Sequence, residues 1–182
     1  AAFSNCENLS SITLPEGIRE IERAMFYKCN NLYQINVPKT VQKIWFNAFD
    51  DSGLLNAYKN SNDNELYIGD WLIHYKSDNI ETLIIKEGTI GISDMDSYRT
   101  KKIKSVEFPE SLKYIGSDAF NGALFNAVKL PKTLICIGQA AFRGSRRVRY
   151  SFPCPKLFAG RYTLLGALYI FAVPNNAFRQ LC

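Results

Sequence analysis

The apolar positions of this chain recur at a fixed interval. Phe3, Phe26 and Phe49 lie 23 residues apart. Leu9, Leu32 and Leu55 keep the same spacing, as do Ile12 and Ile35, Pro15 and Pro38, and Ile21 and Ile44. A period of this length is the signature of a solenoid, in which each repeat forms one coil stacked on the next. The first unit, Ala2 to Ile21, reads Ala-Phe-x-x-Cys-x-x-Leu-x-x-Ile-x-Leu-Pro-x-x-Ile-x-x-Ile. Its Ile-x-Leu alternation predicts a short half-buried strand. The following Pro has no N–H and ends that strand. Ile-x-x-Ile carries the return path. Ala-Phe fills the interior from the other side, with the small Ala allowing close backbone approach and Phe supplying buried area.

The frame also locates its own failures. A third unit opens at Ala48-Phe49 and keeps Leu55, but its Pro position falls on Ser61. The pattern returns at Leu83-x-Ile85, Glu87-Gly88 and Ile92, 48 residues after Ile44, so one degenerate rung has two extra residues. Ile92 to Ile115 is again 23, while Ile115 to Ile137 and Phe120 to Phe142 are 22. Val106-x-Phe108-Pro109, Val128-x-Leu130-Pro131 and Tyr150-x-Phe152-Pro153 align as successive strand ends, with a weak echo at Phe171-x-Val173-Pro174. About seven rungs result, the third and seventh poor. Inside the irregular rung, Leu66-Tyr67-Ile68, Gly69-Asp70 and Trp71 to Tyr75 predict a β-hairpin. It is read as a modified rung that patches the decayed repeat, in preference to a protruding contact loop. Gly116 and Gly138 are read as turn glycines.

Composition changes the picture little, and charge changes it more. The 182 residues are 47% apolar and 21% charged, a folded and not a disordered balance. From Ala119 onward there is no Asp or Glu but there are nine basic residues; residues 1–118 hold the remaining 13 basic and all 17 acidic ones, a net charge of −4. The object is therefore expected to be electrically bipolar. The apolar run from Tyr162 to Val173 is 12 residues, short of the roughly 20 that cross a bilayer. It is expected to be a buried last rung or a homo-oligomer contact. The chain opens inside a repeat without an initiator Met, which reads as a piece of a longer protein. Five cysteines cannot all pair within the chain. Cys6 and Cys29 occupy equivalent positions and are read as small buried thiols, although stacking brings them within disulfide distance. Cys136, Cys154 and Cys182 follow no metal-ligand spacing.

The strings Ile115-Gly116-Ser117-Asp118-Ala119-Phe120 and Ile137-Gly138-Gln139-Ala140-Ala141-Phe142 recur 22 residues apart, each set beside the Leu-Pro-x-x-Leu-x-x-Ile motif. They resemble the BspA-like leucine-rich repeats of the bacterial surface-antigen type. The resemblance covers residues 2–153 well and 154–182 poorly. Departures are Asp96-Ser97 in place of Ala-Phe, Ser52 and Ala123 in place of Cys, and Met25 in place of Ala. It implies a β-rich, curved, right-handed leucine-rich-repeat solenoid, with short strands on the concave face and little helix. It further implies an extracellular or cell-surface location and adhesion to host matrix or neighbouring cells. On this frame, residues 1–153 form a solenoid of about six rungs, with a degenerate rung and hairpin near 50–80. Residues 154–182 form a degenerate last rung or a C-terminal cap.

Candidate chemistry is sparse. His74 is the single histidine and sits on a hairpin strand, so no nucleophile–base pair is visible. No phosphate loop, dinucleotide fingerprint or zinc spacing appears, and neither a cofactor nor a metal is expected. Asp50-Asp51, and Asp94 with Asp96, lack the spacing of a calcium loop and are read as solvated turns. The expected working surface is the set of outward strand positions: Ser11 and Thr13, Gln34 and Asn36, Thr82 and Ile84, Ser105 and Glu107, Ala127 and Lys129, Arg149 and Ser151. A second candidate is the basic cluster of Arg143, Arg146, Arg147 and Arg149, interleaved with Tyr150 and Phe152. It lacks the continuous basic track of a nucleic-acid site, and an acidic glycan or protein suits it better. The expectation is a non-enzymatic binding module for a protein or glycan partner. A structural spacer without a ligand is the alternative, and a carbohydrate-active enzyme would need a carboxylate pair facing one cleft.

Overall fold

A computed structural model describes residues 2–78, 80–96, 102–145, 148–150 and 158–159. In chain order the elements are β1 (Ser11–Thr13), β2 (Glu20–Ile21), β3 (Gln34–Asn36), β4 (Lys43–Ile44) and α1 (Gly53–Lys59). Then follow β5 (Glu65–Ile68), β6 (Trp71–Tyr75), β7 (Thr82–Ile84), β8 (Gly91–Ile92), β9 (Ser105–Glu107) and β10 (Tyr114–Ile115). β11 (Val128–Leu130), β12 (Cys136–Ile137), β13 (Val148–Tyr150) and β14 (Phe158–Ala159) complete the series. The architecture is a β-solenoid of about five turns with little helix.

Each regular rung supplies two short strands, and equivalent strands pair in parallel. Ile12 lies opposite Ile35, and Ile21 opposite Ile44, as the 23-residue frame requires. Leu83 pairs with Val106 and Ile115 with Ile137. The aromatic positions stack in the interior. Phe3, Phe26 and Phe49 form a ladder with centroids 5.5 Å apart at each step. Phe120 and Phe142 form a second ladder at 5.4 Å.

Rung three departs from the rest, and the cause is local. Ser52 stands where earlier rungs have Cys6 and Cys29. Its hydroxyl accepts from the Leu55 N–H at 3.3 Å, an N-cap that turns the following residues into α1 instead of a strand. Leu55 keeps its repeat position and is buried, but on a helix. Gly53 permits this crossing, because a Cβ there would lie 2.7 Å from the Asn30 carbonyl oxygen. The helix leaves β3 and β7 unpaired with each other, and β9 and β11 do not pair either, so the strand row consists of the two-stranded sheets β1–β3, β7–β9 and β11–β13.

The hairpin forms as expected. β5 and β6 pair antiparallel around Gly69, which has the left-handed φ of 56°. β6 also pairs in parallel with β8, which places the hairpin in the sheet of return strands. It is thus a patch in the stack. Its side chains serve two cores. Ile68, Trp71 and Ile73 pack with Phe26, Ile44 and Phe49, while Leu72 and Tyr75 pack with Leu83, Ile92 and Phe120. Tyr75 stacks on Phe120 at 6.0 Å and donates its hydroxyl to the Ala119 carbonyl at 2.6 Å. It fills the ladder site beside Phe120 where the repeat has Asp96-Ser97 instead of Ala-Phe.

Two sequence readings of the stack itself need correction. Gly116 and Gly138 are not turn glycines, since neither has a positive φ. A Cβ on Gly116 would come within 2.3 Å of the Ser93 carbonyl carbon, and one on Gly138 within 2.3 Å of the Ser117 nitrogen. Close stacking of backbones, not turn geometry, excludes a side chain there. The second concerns register. Leu130 pairs with Tyr150, two residues earlier than the aligned Phe152. The shift brings Arg149, which the sequence frame aligns with Ala127, level with Lys129. Residues 162–173 lie outside the described residues. So does the rest of 154–182, apart from β14, which pairs with β12.

Candidate functional site

The fold turns the outward strand positions to solvent. Ser11, Thr13, Gln34, Asn36, Thr82, Ile84, Glu107, Ala127 and Lys129 are exposed, and Ser105 is half-buried. Between them Leu83 and Val128 point inward and are buried. The period-two alternation of a strand produces this division. Thr82 and Ser105 share a hydroxyl–hydroxyl hydrogen bond of 2.7 Å. Ile84 is 62% exposed in the centre of the face, an apolar contact point among polar neighbours. Helix α1 and the hairpin interrupt the row, so Ser11, Thr13, Gln34 and Asn36 form one group and the positions from Thr82 onward another.

The late basic residues divide as well. Arg143 is exposed in the aromatic turn, where its carbonyl accepts from Gly122 N–H. Arg149 lies on β13 opposite Lys129. Arg146, Arg147 and Ser151 lie outside the described residues.

A cleft that the sequence reading did not find opens at the break in the stack. It encloses about 160 Å³ between the 45–50 turn, α1, β6 and residues 93–96. Phe49, Leu55 and Ile73 form apolar walls, and Asn47, Asp94 and Asp96 supply polar groups. His74 reaches the same cleft, its ring 5.4 Å from Tyr58. Asp94 is not the solvated turn residue that the sequence suggested, since it is only 6% exposed. One carboxylate oxygen accepts from Ser117 N–H at 2.7 Å, and the other is 3.6 Å from the Lys43 ammonium. Burial raises its pKa above the usual carboxylate value, and these two partners only partly oppose that. Lys43 also sits 3.6 Å from the centre of the Trp45 ring, whose indole N–H donates to Glu20 at 2.9 Å. Arg23 packs on Trp45 and Phe46. The outer wall of the cleft is thus braced by cation–π contacts. The signal in the sequence was the pair of anomalies at Asp96-Ser97 and in the 48-residue interval, which marked a gap without giving its contents.

Among the described residues, no group of three or more His, Cys, Asp or Glu side chains is placed to hold a metal ion. No helix among them is long and apolar enough to cross a membrane. Cys6 is an exposed free thiol, and Cys29 is buried with its thiol donating to the Phe3 carbonyl at 3.0 Å. Cys136 is engaged in a disulfide.

Two solved structures are similar to this chain. One is a leucine-rich repeat protein from Bacteroides ovatus, at 19% identity and a TM-score of 0.35, with 86% of this chain and 46% of that chain covered. The other is a leucine-rich cell surface protein from Faecalibacterium prausnitzii, at 17% identity and a TM-score of 0.32, with 84% and 62% covered. The chain therefore spans about half to three-fifths of the length of these proteins. No curated protein matches the sequence significantly. The model of the BspA type leucine rich repeat region matches residues 1–96 and 67–157, with six repeat copies described for that region. The chain belongs to the BspA-type leucine-rich repeat family.

Proposed function

We propose that this chain is a non-enzymatic binding module of the extracellular space or cell surface, which takes a protein or glycan partner on its outward strand row. The observation that carries the reading is the exposed row itself. The stack fixes the inward residue of each strand, while Ser11 to Asn36 and Thr82 to Lys129 are left to solvent at the outward positions. Ile84, 62% exposed, supports a protein contact near the centre of the second group. Lys129 and Arg149, level on β11 and β13, support an acidic group at its basic end. The family resemblance to bacterial surface-antigen repeats supports the location, with host matrix as the partner class.

Charge reversal tests the reading. The Lys129→Glu and Arg149→Glu double variant is immobilised beside the parent chain and exposed to host extracellular-matrix extract. Captured protein should fall by at least about threefold, while the melting temperature stays within about 2 °C. Equal capture by both chains refutes the binding face and favours the spacer reading. Glycan hydrolysis by the purified chain would overturn the non-enzymatic assignment.

A further inference from the structure

One turn of the stack carries a chemical signal that the repeat does not require. Leu9 N–H donates to the Cys6 carbonyl at 3.1 Å, which makes Glu7 and Asn8 the central residues of a β-turn ahead of β1. Rung two builds the same turn, with Leu32 N–H on the Cys29 carbonyl at 2.9 Å. In both rungs the leucine turns toward the core, half-buried at Leu9 and fully buried at Leu32. The residues on either side of it face solvent: Asn8 and Ser10 in rung one, Asn31 and Tyr33 in rung two. Asn31 is exposed although rung one and α1 flank it, so the openness belongs to the repeat position and not to the end of the stack. Of the 15 asparagines, Asn8 alone has a serine or threonine two positions on, and the residue between them, Leu9, is not proline. Asn-x-Ser with x other than Pro is the acceptor signal for attachment of an oligosaccharide to the Asn side chain in a secreted protein. The fold uses neither polar group, since the Asn8 carboxamide and the Ser10 hydroxyl make no hydrogen bond among the described residues. Ser10 contributes to the stack only through its carbonyl, which accepts from Tyr33 and Gln34 N–H at 3.1 and 3.4 Å.

We propose that Asn8 is an N-glycosylation site, which takes its sugar from a lipid-linked oligosaccharide. Asn8 Nδ2 attacks C1 of the first sugar. The new bond from Nδ2 to C1 replaces the bond from C1 to the pyrophosphate oxygen, and the proton lost from Nδ2 leaves with the lipid pyrophosphate. The hydroxyl of Ser10 is the group by which the transferase recognises the acceptor. Transfer acts on the chain before the stack closes, so the folded structure has to tolerate the product. It does so at Asn8, where an exposed turn lets a bulky polar group extend into water without displacing a rung. The glycan stands at the rung-one end of the outward strand row, just ahead of Ser11 and Thr13. The assignment rests on the extracellular reading for its setting, while its chemistry is local to the turn and is tested separately.

The first arm of the test imposes the location. The full chain is carried behind a cleavable secretion signal in cultured mammalian cells, so that it meets the transferase whatever its natural compartment. The secreted parent should run as a heavier band, which peptide-N-glycosidase F returns to the position of the bare chain. Digestion in H₂¹⁸O should leave the label on the Asn8 side chain. Asn8→Gln and Ser10→Ala should each abolish the shift, and Ser10→Thr should keep it. After deglycosylation all of these chains should share the circular dichroism spectrum and melting temperature of the parent, because both positions are exposed. A secreted parent without a shift, or a shift that survives Asn8→Gln, would overturn the proposal. The second arm uses the cells that make the natural protein, with a membrane-impermeant biotin ester to report its location. The expected chain is labelled by biotin and carries sugar on Asn8. A chain that is labelled but bare at Asn8 overturns the glycosylation site and leaves the extracellular reading in place. A chain that is neither labelled nor glycosylated overturns both.

Discussion

Replacing Tyr75 tests whether the hairpin repairs the broken rung. Tyr75 is 3% exposed, stacks on Phe120 at 6.0 Å and bonds the Ala119 carbonyl at 2.6 Å. Tyr75→Ala removes a buried ring from the one aromatic that bridges β6 to the second ladder. Deletion of a buried aromatic side chain costs about 3–5 kcal/mol, because the surroundings collapse only in part. Tyr75→Phe keeps the ring and strands only the Ala119 carbonyl, at about 1–3 kcal/mol. For a chain of this size each kcal/mol lowers the melting temperature by roughly 2–4 °C, so the Ala variant should melt about 6–20 °C below the parent. The hydroxyl cannot ionise in the accessible range, since burial pushes its pKa far up, and the ranking should hold at any moderate pH. Urea unfolding followed by near- and far-ultraviolet circular dichroism gives the free energies. A Tyr75→Ala loss below about 1 kcal/mol refutes the reasoning, because the ladder site would then not need filling.

Other outcomes follow from single residues. Asp94 has a folded pKa raised by burial, so its stabilising contribution is complete below the unfolded value of 3.8 and is lost as pH rises through the folded one. The stability of Asp94→Asn relative to the parent should therefore improve as pH rises from about 4, and a relative decline would mean that the Lys43 pairing dominates. Gly116→Ala should cost about 2–3 kcal/mol or more in urea unfolding, because its Cβ would meet backbone at 2.3 Å. Gly17→Ala, with no atom within 4 Å but a φ of +96°, should cost only about 1 kcal/mol. A milder effect at Gly116 than at Gly17 contradicts the stacking argument. Ser52→Ala should lose about 0.5–2 kcal/mol through the N-cap of α1, measured in the same way.

Periodicity reports what neighbouring rungs share. It therefore placed Phe26, Ile44, Leu83 and Ile115 in the interior, and the exposed partners of the inward strand residues on the face. The hairpin was legible because Gly69-Asp70 and its flanks carry local turn chemistry. Helix α1 was not, since one N-cap serine and seven residues are a weak signal against an expected strand. The role of Gly116 was misread for a related reason. A glycine needed for rung-to-rung approach and one needed for a turn look alike in sequence, and only the φ and the neighbouring backbone separate them. The cleft was invisible because it is the space left where the period fails, and the substitution at Asp96-Ser97 does not say that Tyr75 fills one side of the gap and leaves the other open. The division of the strand row likewise depends on α1, which the frame did not contain.

The central claim is that the strand face, and not the solenoid surface at large, meets the partner. A photo-crosslinking amino acid placed at Ile84 and, separately, at Ile135 tests it directly. Both side chains are exposed, at 62% and 45%, but only Ile84 lies on the outward strand row. After irradiation in host extracellular-matrix extract, the account predicts a discrete crosslinked product from the Ile84 position and none above background from Ile135. Equal yields from the two positions, or product from Ile135 alone, would contradict it.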